Sequence, residues 1–221
     1  MNIENNLLRK LFQNIYFING TAYAGKSTMV KLLAEKYDGI CCGENYHDSL
    51  MHLIDPAHQP ALSYFETMSS WQEFVSRTPD EYEAWFVQTS FEAAQLEILK
   101  LIELSATRKK IFVDTNISVD MLREISDYHH VAIMLSPQCM SVDHFFDRPD
   151  ADKQFLYQKL LEAPDPDAAI ANFRNCLERI NSAEHYRHFS ESGFYTHLRD
   201  DNSTIDETLK QLEIHFQLCD H

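Results

Sequence analysis

Apolar positions along this chain follow two rhythms that alternate from one end to the other. Short unbroken runs have the length and content of buried strands: Ile15-Tyr16-Phe17-Ile18-Asn19, Ile40-Cys41-Cys42, Lys110-Ile111-Phe112-Val113-Asp114, Val131-Ala132-Ile133-Met134-Leu135 and Phe194-Tyr195-Thr196-His197-Leu198. Between them apolar residues recur three and four positions apart. Leu7, Leu8, Leu11 and Phe12 predict a short amphipathic helix within residues 1–13, and Val30, Leu33, Ala34 and Tyr37 predict a helix over 26–37. Thr78-Pro79-Asp80-Glu81 carries a cap, a proline at the first helical position and a glutamate three residues after the cap. That signature predicts a long helix to about Ser105, with Trp85, Phe86, Phe91, Leu96, Leu99 and Ile102 among its apolar residues and core packing as their role.

Further helices are predicted from Ser118 to Ser126, over about 151–162 and over 166–190. Gly193 closes the last of these, and a final helix capped by Asn202-Ser203 runs to Leu218. Residues 49–76, with Pro56 and Pro60, show no rhythm and read as irregular. Strands separated by helices in this way predict an α/β fold, a parallel sheet covered on both faces, in one domain over 1–221. Ligands on such sheets bind at the carboxyl ends of the strands. Gly20 to Thr28, Glu44 to Asp48, Asp114 to Asn116 and Arg199 to Ser203 should therefore line one crevice.

The first of these segments has its own chemistry. Gly20-Thr21-Ala22-Tyr23-Ala24-Gly25-Lys26-Ser27 meets every position of G-x-x-x-x-G-K-[ST], between a predicted strand and a predicted helix. The order strand, glycine turn, helix points successive backbone N–H groups and the positive end of a helix dipole at a bound phosphate chain. The chain has only five glycines, and two of them occupy the required positions. There the lack of a Cβ permits the tight turn and close approach to phosphate.

Charge narrows the partners. With 19 basic against 34 acidic residues the net charge is −15, which disfavours a nucleic acid polymer. A site for ATP must then gather positive charge locally, from Lys26, a few arginines, loop amides and Mg²⁺. No apolar run approaches the roughly 20 residues that span a bilayer, and the first residues lack a signal-peptide pattern, so the expectation is a cytoplasmic protein with no membrane partner. Five cysteines without a C-x-x-C pair indicate neither a disulfide framework nor a zinc ribbon. Of the eleven histidines, the adjacent His129-His130 and the pair His47 and His52 do not have zinc-helix spacing.

An early P-loop, an acidic loop after the second strand, an aspartate closing the third, an arginine segment after the fourth and a terminal strand and helix together resemble the P-loop small-molecule kinases. That group includes nucleoside monophosphate, shikimate and gluconate kinases. The resemblance spans nearly the whole chain in layout, with residue-level specificity in the P-loop alone. It implies a three-layer, doubly wound, five-stranded parallel sheet of order 2-3-1-4-5 with a helical lid at about 145–165 and an acceptor region at about 44–85. It also implies transfer of the γ-phosphoryl group of ATP, with Mg²⁺, to a small-molecule hydroxyl or phosphate acceptor.

Carried onto this chain, the resemblance gives the cradle to Gly20 and to the backbone of Ala22, Tyr23, Ala24, Gly25, Lys26, Ser27 and Thr28. Lys26 reaches the β and γ oxygens, the Ser27 hydroxyl ligates Mg²⁺ and Asp114 holds it through water. Glu44 or Asp48 accepts the acceptor's proton, and Arg148 closes from the lid, with Arg174 as a second contact. One departure is plain. Residues 145–153 offer one arginine, one lysine and three aspartates where nucleotide kinases carry several arginines, which favours an uncharged or hydroxylated acceptor. Other classes compatible with the loop are an ATP-binding regulatory protein without an acceptor reaction, a scaffold, and a sulfotransferase, against which the intact Gly25-Lys26-Ser27 and Asp114 argue.

Overall fold

The computed structural model describes residues 3–143, 145–146, 151–200 and 204–218. Strands β1 (Ile15–Gly20), β2 (Ile40–Cys42), β3 (Ile111–Asp114), β4 (Val131–Leu135) and β5 (Tyr195–Leu198) lie in the order β2-β3-β1-β4-β5. Every neighbouring pair is parallel. Because side chains alternate across a strand, Ile15, Phe17, Val113 and Ile133 face one side of the sheet while Tyr16, Ile18, Phe112 and Met134 face the other.

Helices cover both sides. On the first face lie α1 (Asn5–Leu11), α5 (Pro79–Ser105) and α6 (Val119–Ile125), which contribute Leu8, Leu101 and Leu122 to the core; on the second lie α2 (Lys26–Lys36) and α11 (Ile205–His215), which contribute Val30, Leu33 and Leu212. This is the three-layer α/β arrangement that the alternating rhythms predict, with the predicted strand order. Among the described residues no helix is long and apolar enough to cross a membrane.

A third cluster sits beside the sheet. It joins α4 (Trp71–Val75), α5, α8 (Ala151–Leu161) and α9 (Pro166–Ile180) through Phe74, Tyr82, Leu160, Phe173 and Leu177. Aromatic rings of the 64–85 region pack against one another here: Phe74 meets Trp85 with centroids 4.9 Å apart, and Phe65 stacks on Trp71 at 5.2 Å. The Arg77 guanidinium lies 3.9 Å from the Tyr64 ring centre. Phe74, Trp71, Trp85 and Tyr64 belong to this cluster, while Phe65 caps it from the surface.

Core packing, expected for the apolar residues of α5, fails at Phe86, Phe91 and Leu99, which are exposed, and four further local features differ from the sequence expectation. Residues 49–76 are not irregular throughout, since they hold a 3₁₀ turn at Asp48–Leu53, α3 (Tyr64–Thr67) and α4. Their order comes from tertiary contacts: the buried Glu92 of α5 accepts the backbone N–H groups of Ala61 and Leu62 at 3.0 and 2.8 Å, and Trp85 Nε1 donates to the Ala61 carbonyl. The helix expected over 166–190 is two helices, α9 and α10 (Ala183–Ser190), because Ser182 adopts extended backbone and caps the second through the His185 N–H. A short α7 (Gln138–Asp143) follows β4 without a prior signal. The cap of α11 is Thr204, in a capping box with Glu207; Asn202 and Ser203 lie outside the described residues.

Behind the sheet, His215 is buried with Nε2 at 2.8 Å from the Val131 carbonyl and its ring stacked on Tyr195 at 4.5 Å. Burial, with the nearby His129 and His130 adding to it, lowers its pKa below the ordinary histidine value. The unfolded chain then binds more protons than the folded one, so stability is complete above about pH 6.5 and falls as the pH drops below that. Thermal melts between pH 7.5 and 5 should show a smaller acid-induced loss in His215→Gln than in the wild type. Parallel pH profiles for the two proteins would refute this assignment.

Candidate functional site

β1 ends by turning sharply at Gly20, whose φ is +128° and whose missing Cβ would lie 1.9 Å from the Met134 carbonyl oxygen. Only glycine passes there. Tyr23 and Gly25 also have positive φ, +65° and +90°, so the loop changes hand twice before α2 begins at Lys26. Such alternation aims consecutive N–H groups into one concavity. No side chain caps α2, which leaves its first-turn amides facing that concavity without a side-chain acceptor.

Neighbouring strands clamp the loop. Ser136, just after β4, donates its backbone N–H to Thr21 Oγ1 at 2.8 Å and its hydroxyl to the Ala22 carbonyl at 2.7 Å. Asn19 donates to the Ile117 carbonyl at 2.7 Å and accepts the Gly20 N–H, tying β1 to the segment after β3. Arg199, after β5, donates to the Tyr23 carbonyl at 2.7 Å. That contact ties the predicted segment from Arg199 to Ser203 to the loop; residues 201–203 lie outside the described residues.

The register of β1 with β3 sets Asp114 opposite Ile18, two residues before the glycine turn. The consequence is direct: the Ser27 hydroxyl donates to Asp114 Oδ2 at 2.6 Å, and Lys26 Nζ stands 3.9 Å from Asp114 Oδ1. Lys26 folds back to donate to the Thr21 carbonyl at 3.0 Å. Asp114 is buried, and its neighbours form a hard-oxygen donor set beside a nest of amides. Serine and aspartate oxygens so placed suit Mg²⁺, which takes one or two protein oxygens and completes its shell from phosphate and water. Among the described residues no group of three or more histidine, cysteine, aspartate and glutamate side chains could hold a metal alone.

Lys26, Glu44 and Asp114 open onto one cavity of about 530 Å³, which runs from the P-loop between α5, α6, α9 and α10. Glu44 is exposed at its edge. Asp48 points elsewhere, standing 4.0 Å from His47 Nε2 in the 3₁₀ turn without lining the cavity. Of residues 44–85, Glu44 and Tyr82 are the ones that reach it. Arg148 lies outside the described residues, as do 147 and 149–150 of the expected lid; α8 occupies most of its remainder. Arg174 pairs with Asp143 at 3.6 Å on the surface and does not line the cavity.

Sequence reasoning missed Glu97. This α5 carboxylate has no solvent exposure and accepts the Thr115 hydroxyl at 2.6 Å, the Asn116 N–H at 3.1 Å, Asn116 Nδ2 at 2.9 Å and the Tyr46 hydroxyl at 3.2 Å. Buried His47 Nδ1, with no hydrogen-bond partner, stands 3.7 Å away. Glu97 thereby holds two loops at once, the turn after Asp114 and the segment carrying Glu44. Burial beside this carboxylate raises the Tyr46 pKa, keeping the phenol a donor, and burial pushes the Cys42 thiol up to about 12, so it stays protonated. A signal existed: Glu97 falls four residues after Ala93 and four before Leu101, inside an otherwise apolar buried stripe.

Compared with known protein families, curated proteins and solved structures, the chain shows no significant match to any.

Replacing Glu97 by glutamine puts an amide donor among four donors. Urea unfolding of Glu97→Gln should show a loss of about 1–3 kcal/mol. Unchanged stability would mean that the loops find other acceptors.

Proposed function

We propose that this protein is an ATP-dependent phosphotransferase that moves the γ-phosphoryl group of ATP to a small-molecule acceptor. The observation that carries the reading is the Ser27–Asp114 contact, set under the uncapped start of α2, with Lys26 beside it and Glu44 across the same cavity. A phosphate chain seated on the loop amides would draw Lys26 away from the Thr21 carbonyl towards the β and γ oxygens. Bound Mg²⁺ would supply further neutralisation of those oxygens, with Ser27 as ligand and Asp114 holding its water.

Phosphoryl transfer asks the protein mainly for position and charge. The acceptor oxygen forms a bond to the γ phosphorus as the bond to the β–γ bridging oxygen breaks and ADP leaves. The acceptor hydroxyl's proton passes to Glu44, which is exposed and free to take it up and release it to water. Arg199 and Ser136 take no part in the transfer itself. They hold the loop carbonyls outward so that the amides stay inward.

Lys26→Ala should keep the fold and lower turnover on the order of 100-fold or more, by comparison with removing one transition-state donor. Asp114→Asn should raise the Mg²⁺ concentration needed for half-maximal rate. Both are read as Mg²⁺-dependent ADP formation against pools of nucleosides, nucleotides, sugars and hydroxy acids. Near-normal turnover in Lys26→Ala would sink the assignment, and tight ATP binding that no pool converts into turnover would favour a regulatory nucleotide binder.

A further inference from the structure

The acceptor half of the cavity has a composition that points to one class of ligand. Phe86, Val87 and Phe91 of α5 line it although 40%, 51% and 54% of their surfaces are exposed to solvent. Val87 and Phe91, four residues apart, occupy successive turns of one helix face with Phe86 beside Val87, an apolar strip turned towards an open space. Phe189 and Ile180 bring apolar surface from α10 and α9 to the same cavity.

Its polar lining includes the neutral Tyr82, Tyr186 and His188, and several of its other polar groups are engaged within the protein. The Ser90 hydroxyl donates to the Phe86 carbonyl at 3.0 Å, Gln138 Nε2 to the Asn181 carbonyl at 3.1 Å and Asn181 Nδ2 to the Leu177 carbonyl at 2.8 Å. His185 Nε2 is 2.7 Å from Glu83 Oε1, and Glu83 also takes the Arg179 Nε. These groups spend donors on the protein's own carbonyls and carboxylate. Charge tells the same story: among the described residues the formal charges lining the cavity are Lys26 and Lys153 against Glu44 and Asp114. Lys26 belongs to the P-loop, and Lys153 lies over the Tyr23 and Phe145 rings near that end.

We infer that the cavity accepts an uncharged molecule with a flat apolar face and a hydroxyl group, and excludes one that already carries phosphate. This rests on the phosphotransfer reading for what then happens to the hydroxyl. An anionic acceptor would lose its hydration and meet no lysine or arginine on the α5, α9 and α10 walls, whose Tyr82, Tyr186 and His188 donors are neutral, beside the negative charge of nucleotide and of Glu44. A neutral ring would instead cover the Phe86, Val87 and Phe91 strip, and its hydroxyl would meet lone pairs that lack a proton.

The matched probes are 2-naphthol and 2-naphthyl phosphate, titrated by fluorescence into the whole chain with and without a non-hydrolysable ATP analogue and Mg²⁺. With the analogue present, naphthol should bind at least about tenfold more tightly than its phosphate ester, which is one decade in Kd. Val87→Gln and Phe91→Gln should each weaken naphthol binding by about tenfold, the loss expected when apolar cover is removed. Leu99→Gln, comparably exposed on α5 but more than two turns beyond Phe91 and outside the cavity lining, should leave it unchanged. The inference is overturned if naphthol fails to bind, if the phosphate ester binds as tightly, or if neither cavity variant weakens binding. The analogue's own affinity for wild type and Lys26→Ala, measured separately, reports on the phosphotransfer reading. Failure there leaves the naphthol ratios without analogue to judge the cavity.

Discussion

The close approach of β1 to β4 at Gly20 is the constraint on which the rest of the site depends. A side chain at that position would collide with the Met134 carbonyl at 1.9 Å, so only glycine lets the central strand turn out of the sheet at that point. Because β1 is central, flanked by β3 and β4, the turn emerges between Asp114 on one side and Ser136 on the other. Both then touch the loop. Parallel pairing brings all the strand ends to one edge, and the register decides which of their residues meet.

Buried carboxylates do a second kind of structural work. Glu92 and Glu97 sit on the same long helix and face backbone and side-chain donors from segments that contain little regular structure of their own. Removing a charge from water is costly unless its lone pairs are filled, and each of these carboxylates has them filled from loops that would otherwise lack partners. The helix thus acts as a fixed spine. Glu92 fastens residues 61–62 to it, and Glu97 fastens the turn after Asp114 together with Tyr46.

The site divides by polarity along one cavity. At the P-loop end, backbone amides, Lys26, Ser27 and Asp114 form a compact polar set suited to phosphate and a hard cation. Towards α9 and α10 the walls become more apolar and carry no lysine or arginine, and polar groups such as Ser90 and Asn181 bond within the protein. In a chain with net charge −15, the cavity's two lysines, Lys26 and Lys153, stand near the glycine-loop end, and the other end carries no formal charge among the described residues.

Much of this was legible in the residues alone. Sequence runs marked all five strands to within a residue, the central β1, β3 and β4 most plainly because a strand buried on both faces is apolar throughout, and the capping box of α5 announced itself because its bonds are local. The glycine turn from Gly20 to Gly25 was equally plain, for its conformation is set by contiguous backbone. Tertiary structure decided what depends on distant partners: the break at Ser182, the ordering of residues 61–62 by Glu92, the separation of Asp48 from the cavity, and the role of Glu97 between two loops. It also moved the apolar wall of the cavity to Phe86, Val87 and Phe91; sequence alone assigns Phe86 and Phe91 to core packing, and the structure leaves all three exposed on an open cavity. Periodicity records which face of an element is apolar, and only the packing of other elements determines whether that face is filled or left open.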